Sequence, residues 1–363
     1  MLTELWGQGV RNLAEGRIRP GSGLNLFVGA NGSGKTSLLE SCHVLGLGRS
    51  FRTHRLMRVA CSGRPDFAVA AEIHDPHFGR SRIAVEWSGE RRSRLNGQWI
   101  EGHWEIVRRL PLVAVHAGSF ELLTGAPEER RRLLDWGGFF VDAAFAAEWQ
   151  TWRRAHEQRN AALRQQDGGS ASRFEVVAAA AGTRLTGMRD RFVQRLAAYL
   201  GDAATAALRR GLEGEIDVNF RQGWPEDEGL LEAYARSRPS DLERGFGQVG
   251  PQKADLDIRV AGRPIREASR GEQKRVLNAL VISQGLVQVA SGPEGLTPLL
   301  LLDDAVAEMD ESGVGGIMEA VAALEWQCLA TTVDQDWARA VFGRYSNTTM
   351  FHVKHGVVAP AAE

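Results

Sequence analysis

The chain has 363 residues, 43% of them hydrophobic and 25% charged, with a formal net charge of −1. That length accommodates two or three domains and a sizeable core, and the net charge by itself gives no hint of a nucleic-acid partner. Any nucleic-acid surface must be local and built of arginine, because lysine occurs only at Lys35, Lys253, Lys274 and Lys354.

The three cysteines, Cys42, Cys61 and Cys328, stand too far apart for a disulfide framework or a metal-ligand spacing, which fits a reducing cytosol. Met1–Gly16 lacks the basic-then-apolar pattern of a signal peptide. No apolar run approaches the ~18 residues that would span a bilayer.

Residues 1–28 read as short strands around Gly and Pro turns, the last being Leu24-Asn25-Leu26-Phe27-Val28. Gly29-Ala30-Asn31-Gly32-Ser33-Gly34-Lys35-Thr36 follows and runs into Ser37-Leu38-Leu39-Glu40. Strand, glycine loop and helix stand in the order that a phosphate-binding P-loop requires. Glycines let backbone N–H groups close around a polyphosphate, and the helix aims its N-terminal dipole at the same anion. Lys35 offers a cation to the β- and γ-phosphates, and the Thr36 hydroxyl a ligand to Mg²⁺. The stretch predicts binding of ATP or GTP.

The helix after the loop, apolar at Leu38, Leu39, Cys42 and Leu45, is expected to stop at Gly46 or Gly48. Gly48-Arg49-Ser50-Phe51-Arg52-Thr53-His54-Arg55 is a basic segment, either a solvated loop or a nucleic-acid or nucleotide contact. Phe67–Ile73 and Arg82–Trp87 alternate with period two, and Arg94–Ile100 turns at Asn96-Gly97, which predicts an antiparallel meander. Leu112–Val115 reads as a buried strand.

The middle is helical. A helix opens at Pro127-Glu128-Glu129, a second carries Phe145, Trp149 and Trp152 to about Arg164, and a Gly/Ser/Asp break spans Gln166–Ser172. The next helix bears Phe174, Val177, Ala181, Leu185, Met188, Phe192 and Tyr199 at steps of three and four, a packing seam that Gly182 and Gly187 weaken as a free coiled coil. Glu215–Arg221 reads as one strand, followed by a helix to Arg244. Leu256–Val260 then alternates, Glu272–Val289 is helical, and Leu299–Leu302 is a buried strand ending in Asp303-Asp304. The expected organisation is α/β: head segments at 1–115 and 247–363, with a mostly helical lobe at 116–246 inserted between them.

A P-loop needs a carboxylate partner at the end of another buried strand, and Asp303-Asp304 supplies it. Asp303 suits the Mg²⁺ water shell, and Asp304 suits a general base that orients the attacking water. Asp310 follows shortly after in Ala307-Glu308-Met309-Asp310, and Ser269-Arg270-Gly271-Glu272-Gln273 opens a helix about thirty residues upstream. A Ser and a Gly at a helix N-terminus offer a hydroxyl and free amides to an anion, although the same residues serve as a plain cap.

Taken together, the P-loop, the Ser-x-Gly-x-Gln signature, the acid-ended strand and the trailing Asp resemble an ABC-type ATPase head of the SMC class. Within that class the chain resembles the RecF family of bacterial recombination mediators. The likeness extends to Gly48–Arg52, to Leu123-Thr124-Gly125-Ala126-Pro127-Glu128-Glu129-Arg130-Arg131 with Leu134-Asp135-Trp136, to Gln158–Arg164 and to Gly250-Pro251-Gln252-Lys253-Ala254-Asp255-Leu256. About 230 residues separate Thr36 from Ser269, too few at ~1.5 Å per helical residue for the long arms of chromosome-organising SMC proteins. The family differs from this chain at Val10-Arg11-Asn12, where it usually has Phe-Arg-Asn, and at His116-Ala117-Gly118-Ser119, where a proline is usual before Phe120. The transporter switch histidine corresponds to Thr331 or Thr332.

The resemblance implies ATP and Mg²⁺ as cofactors and a weak, DNA-stimulated ATPase that uses hydrolysis to switch a homodimer. Ser269 of one copy would cap the γ-phosphate held by the other. It further implies binding to double-stranded DNA near gap junctions, with Arg49, Arg52 and Arg55 as candidate contacts and Arg130–Arg132 behind them. RecR and RecO would be partners in loading RecA, for DNA repair, fork recovery and the SOS response, with no membrane partner. An SMC-like scaffold bridging DNA without turnover and an ABC transporter subunit are the alternatives. A small-molecule kinase would have no use for Ser269-Arg270-Gly271.

Overall fold

The structure, a computed structural model, describes residues 1–304 and 311–361, so the expected trailing Asp310 lies outside the described residues. Two compact units divide the chain. Met1–Phe120, Asp202–Leu212 and Ser269–Glu363 form the first, and Glu121–Gly201 with Glu213–Ala268 the second. Asp202–Leu212, placed by the sequence reading inside the middle lobe, belongs to the first unit: it packs on the helices Arg270–Ser291 and Glu311–Leu324.

The first unit holds two six-stranded sheets. One is antiparallel, in the order Gly16–Ile18, Leu2–Gln8, Phe67–Asp75, Gly79–Trp87, Arg91–Leu95, Gln98–Ile100. Its expected Asn-Gly turn is present, with both Asn96 and Gly97 left-handed, as a two-residue hairpin of this type requires. The second sheet runs Val357–Pro360, Thr348–Lys354, Leu24–Val28, Cys328–Thr332, Leu299–Leu302, Leu112–Val115, and all its pairings are parallel except the first. The helix Lys35–Leu47 packs against strands of both sheets, and all its residues except Thr36 and Leu47 are buried. A helix buried on nearly every side must have its polar residues met by partners, as Lys35, Glu40 and His43 are. Its Leu38, Leu39, Val44 and Leu45 join Leu2, Val69, Ile83, Leu112, Leu299 and Leu301 in one core.

The second unit packs the helices Pro127–Val141, Phe145–Arg164, Gly168–Gly201 and Leu230–Arg244 with an antiparallel sheet of Ile216–Arg221, Asp255–Val260 and Arg263–Pro264. The expected break at 166–172 is shorter than the sequence suggests, because Asp167 accepts from the Ser170 N–H and the long helix already starts at Gly168. Gly182 does not loosen that helix. A Cβ there would lie 2.8 Å from Leu230 and 3.1 Å from Pro251 and Trp152, so the missing side chain permits close packing. Beneath that seam the side chain of Arg159 is fully buried, donating to Glu175 at 3.1 Å and to Asp241 at 2.7 Å, both also fully buried. Removing one partner from such a cluster leaves a buried charge uncompensated. Asp241→Ala is therefore expected to lower the unfolding free energy by about 3–5 kcal/mol, measured by urea titration.

Candidate nucleotide site

The P-loop and the acid pair meet at the carboxyl edge of the first unit's parallel sheet, the edge where open α/β sheets bind ligands. Leu24–Val28 delivers the chain into the P-loop, where Gly34 sits at φ 116°, a conformation disfavoured for residues with a side chain, just before the helix begins. A Cβ at Gly29 would stand 2.3 Å from the Val353 carbonyl. The loop is held by residues outside the motif: Asn12 donates to the Gly32 carbonyl at 2.8 Å and accepts from the Ser37 hydroxyl at 2.9 Å. Lys35 folds back over the loop, its Nζ donating to the carbonyls of Gly29 at 2.7 Å and Ala30 at 2.9 Å. Burial lowers the pKa of Lys35, against the pull of Asp304 and Asp303. Ala30, Asn31 and Gly32 are exposed, whereas Ser33 is buried, its Oγ lacking a hydrogen-bond partner among the described residues.

Asp303 and Asp304 leave the strand Leu299–Leu302, separated from the P-loop strand by Cys328–Thr332 alone. Asp303 Oδ1 accepts from Thr36 Oγ1 at 3.0 Å and from Thr331 Oγ1 at 2.9 Å. Thr331 in turn accepts from the Asp304 N–H at 2.8 Å. Of the two threonines expected at the switch position, Thr331 touches the acids, while Thr332 accepts from the Asp334 N–H and caps a turn. Burial raises the pKa of Asp303, and the charge of Asp304 adds to this; the two threonine hydroxyls and the field of Arg52 act in the opposite sense. Asp304 is left-handed, at φ 52°, and its Oδ1 is buried without a hydrogen-bond partner among the described residues. No three His, Cys, Asp or Glu side chains form a metal cage among the described residues. Two hard oxygen donors beside an unsatisfied carboxylate fit a Mg²⁺ that arrives with phosphate oxygens of its own.

Ser269 is the N-cap of Arg270–Ser291 and stands exposed. Its Oγ accepts from the Glu272 N–H at 3.3 Å, and its own N–H donates to Glu272 Oε2 at 2.8 Å, a capping box. Arg270 lies over the Phe120 ring at 3.6 Å, Gly271 faces open space and Gln273 is buried. Among the described residues no hydrogen bond joins Ser269 to the P-loop, so this chain does not bring the signature onto its own phosphate cradle.

The basic segment is pinned rather than free. Fully buried Glu40, on the P-loop helix, accepts from Arg11 through two bonds of 2.9 Å and from Ser50, with Arg52 at 3.5 Å. Arg49 and Arg55 are exposed. Arg130 and Arg131 bind within the second unit, to Asp255 at 2.7 Å and to the Ala254 carbonyl at 3.2 Å, so two of the family segments interlock there. Val10, where the family has an aromatic, fills the core at 1% exposure. His116 stacks on Phe51 at 4.6 Å, and Phe51 meets His43 edge-on at 5.2 Å. In the sequence Asn12 stands out only as part of the family triplet, and nothing local marks Glu40 or this ring cluster.

Fold and site define the class: an ATPase head of the SMC type. A family model described as RecF/RecN/SMC N terminal domain matches residues 1–358. The DNA replication and repair protein RecF of Stutzerimonas stutzeri is 36% identical over 362 residues, covering 98% of this chain and 96% of that relative. Among solved structures, that of the recombination mediator RecF-ATP in the RecFOR pathway superposes with a TM-score of 0.86 at 22% identity, covering 99% of this chain and 97% of that one. An Smc head bound to the C-winged helix domain of ScpA does so at 0.60 and 16% identity, covering 99% and 96%. The chain belongs to the RecF family.

Burial holds His43 and His116 neutral, pulling their pKa values down to about 3 and about 4. A histidine that binds its proton more weakly when folded contributes stability above its unfolded pKa of about 6.5, and this is lost progressively as pH falls through that value. At pH 5.0 the loss amounts to about 2 kcal/mol for each histidine, from 1.5 units at 1.36 kcal/mol each. In His116→Phe, the difference in urea-unfolding free energy between pH 7.5 and pH 5.0 is expected to shrink by about that amount.

Proposed function

We propose that this protein is an ATP-dependent DNA-binding recombination mediator whose site is completed by a second copy. The observation that carries this reading is the bond between Thr36, at the start of the P-loop helix, and Asp303, two strands away, with an Asp304 oxygen beside them that has no partner among the described residues. Gly29–Thr36 would cradle the polyphosphate, Lys35 would leave its loop carbonyls for the β- and γ-phosphates, and Thr36 and Asp303 would hold Mg²⁺, which would supply charge neutralisation to the phosphates. Asp304 orients the attacking water and accepts its proton.

Ser269 is exposed on its own chain and is used in trans, as cap on the γ-phosphate held by the other copy. ATP then favours the dimer, because each nucleotide completes its contacts only when two heads meet. Loss of the γ-phosphate removes that contact and lets the heads part. Arg52 faces Glu40 and lies in the field of Asp303, which favours a role at the nucleotide over one at DNA. Arg49 and Arg55 remain as DNA candidates, and contact through phosphates would make binding steeply salt-dependent. The family relationship supports a place in DNA replication and repair, with duplex DNA at gap junctions as substrate, RecR and RecO as partners and RecA as the protein loaded.

The test is sedimentation of wild type, Lys35→Met and Ser269→Arg with and without ATP and linear duplex DNA. Wild type alone is expected to dimerise with ATP and to retain DNA. Dimerisation of Ser269→Arg like wild type would remove the composite site from the account.

A further inference from the structure

The hydroxyl of Thr331 sits between the phosphate cradle and the acid pair. Its strand, Cys328–Thr332, pairs with Leu24–Val28 on one side and with Leu299–Leu302 on the other. The carbonyl of the next residue, Thr332, accepts from the Gly29 N–H at 3.3 Å, so the same strand end also touches the P-loop. Thr331 is 1% exposed, and a buried hydroxyl must find its partners inside the protein. It has one proton to give and lone pairs to receive with. The proton goes to Asp303 Oδ1 at 2.9 Å, and a lone pair takes the Asp304 N–H at 2.8 Å. Branching at Cβ leaves a threonine few rotamers, which suits a brace.

Phosphate oxygens accept hydrogen bonds and do not donate them. With its single proton given to Asp303, Thr331 has none for a γ-phosphate, unlike a histidine at the same position. Its other bond acts on Asp304, which is left-handed at φ 52°, an uncommon conformation for a residue with a side chain. That N–H bond holds the backbone where the Asp304 Oδ1 is buried without a partner among the described residues.

We infer that Thr331 is a positioning residue for hydrolysis: it braces Asp304 in the conformation that aims its carboxylate at the attacking water, and it takes no part in sensing the γ-phosphate. The inference rests on the ATP reading above. It separates binding from turnover. Loss of the Thr331 hydroxyl leaves Gly29–Thr36 and Ser269 untouched, so ATP still binds and still joins two copies, while the base is no longer held on its water.

Thr331→Val keeps the side-chain volume without the hydroxyl, Thr331→Ala removes both, and Thr331→Ser keeps the hydroxyl. Each is compared with wild type by calorimetric titration with Mg·ATP, by sedimentation with Mg·ATP, and by hydrolysis rate. The valine and alanine variants are expected to lose about 10–100-fold in kcat, part of what a positioned base supplies. Their Kd for ATP is expected to stay within about threefold of wild type, and their ATP-driven dimerisation to persist; serine is expected to recover most of the rate. Added to Asp304→Asn, Thr331→Val is expected to cost nothing further, because the hydroxyl acts through that carboxylate. A wild-type rate in both hydroxyl-free variants, or a full further loss on top of Asp304→Asn, would overturn the assignment. So would a loss of ATP-driven dimerisation in Thr331→Val that serine restores, which would put the hydroxyl at the γ-phosphate. If wild type bound no ATP, the ATP reading itself would fall and this assignment with it.

Discussion

A carboxylate taken out of water must be met by donors, and the way Asp303 is met organises the first unit. One hydroxyl comes from Thr36 on the helix and the other from Thr331 on the intervening strand, both reaching the same oxygen. Leu302 pairs with Ala330, and Thr332 with Val28, so the parallel register brings Asp303 level with Thr331 and both level with the mouth of the P-loop. A slip of one residue would turn Asp303 to the other face of the sheet and leave its charge unmatched. The register of three strands and the start of one helix thus agree with the requirement that one half-buried charge be satisfied.

A fully buried carboxylate does the same for the segments around the loop. Glu40 has no exposure, and its oxygens are shared among Arg11, Ser50 and Arg52. Arg11 belongs to the N-terminal turn that also carries Asn12, the clamp on Gly32 and Ser37. Ser50 and Arg52 belong to the basic segment, whose Phe51 closes over His116. The P-loop and its helix are therefore gripped by side chains from two stretches outside them, Arg11–Asn12 and Ser50–Arg52. That arrangement suits a cradle that must present backbone amides to a polyanion without rearranging.

Much of this was legible because it is local. The P-loop helix begins at Lys35 and ends against Gly48, as its glycines and apolar spacing suggest. Four leucines followed by two acids form a buried strand, and period-two runs form the meander. Ser269 with Glu272 three residues on is a capping box by sequence and by structure. What escaped was non-local. Glu40 sits in a helix buried all round, so periodicity sets it apart from nothing, and its arginine partners lie 29 and 12 residues away. Asn12 is one residue in a turn until the loop lies against it. The Cys328–Thr332 strand and the hairpin at Thr348–Pro360 are short, lack strong alternation and owe their place to pairing with strands hundreds of residues earlier. Asp202–Leu212 joins the head for the same reason, through packing that its own sequence does not encode.

Within one chain the phosphate cradle and acid pair are assembled, and the serine that would close over the γ-phosphate stands exposed elsewhere, its hydroxyl engaged with its own helix among the described residues. The central claim is that the missing part comes from a second copy. The most direct measurement is the ATP hydrolysis rate per molecule as a function of protein concentration, at saturating Mg·ATP. A site shared between two copies requires that rate to rise with concentration and to level off when dimers predominate. A rate per molecule that stays constant from dilute monomer upward would mean that one chain hydrolyses ATP alone, and would contradict the account.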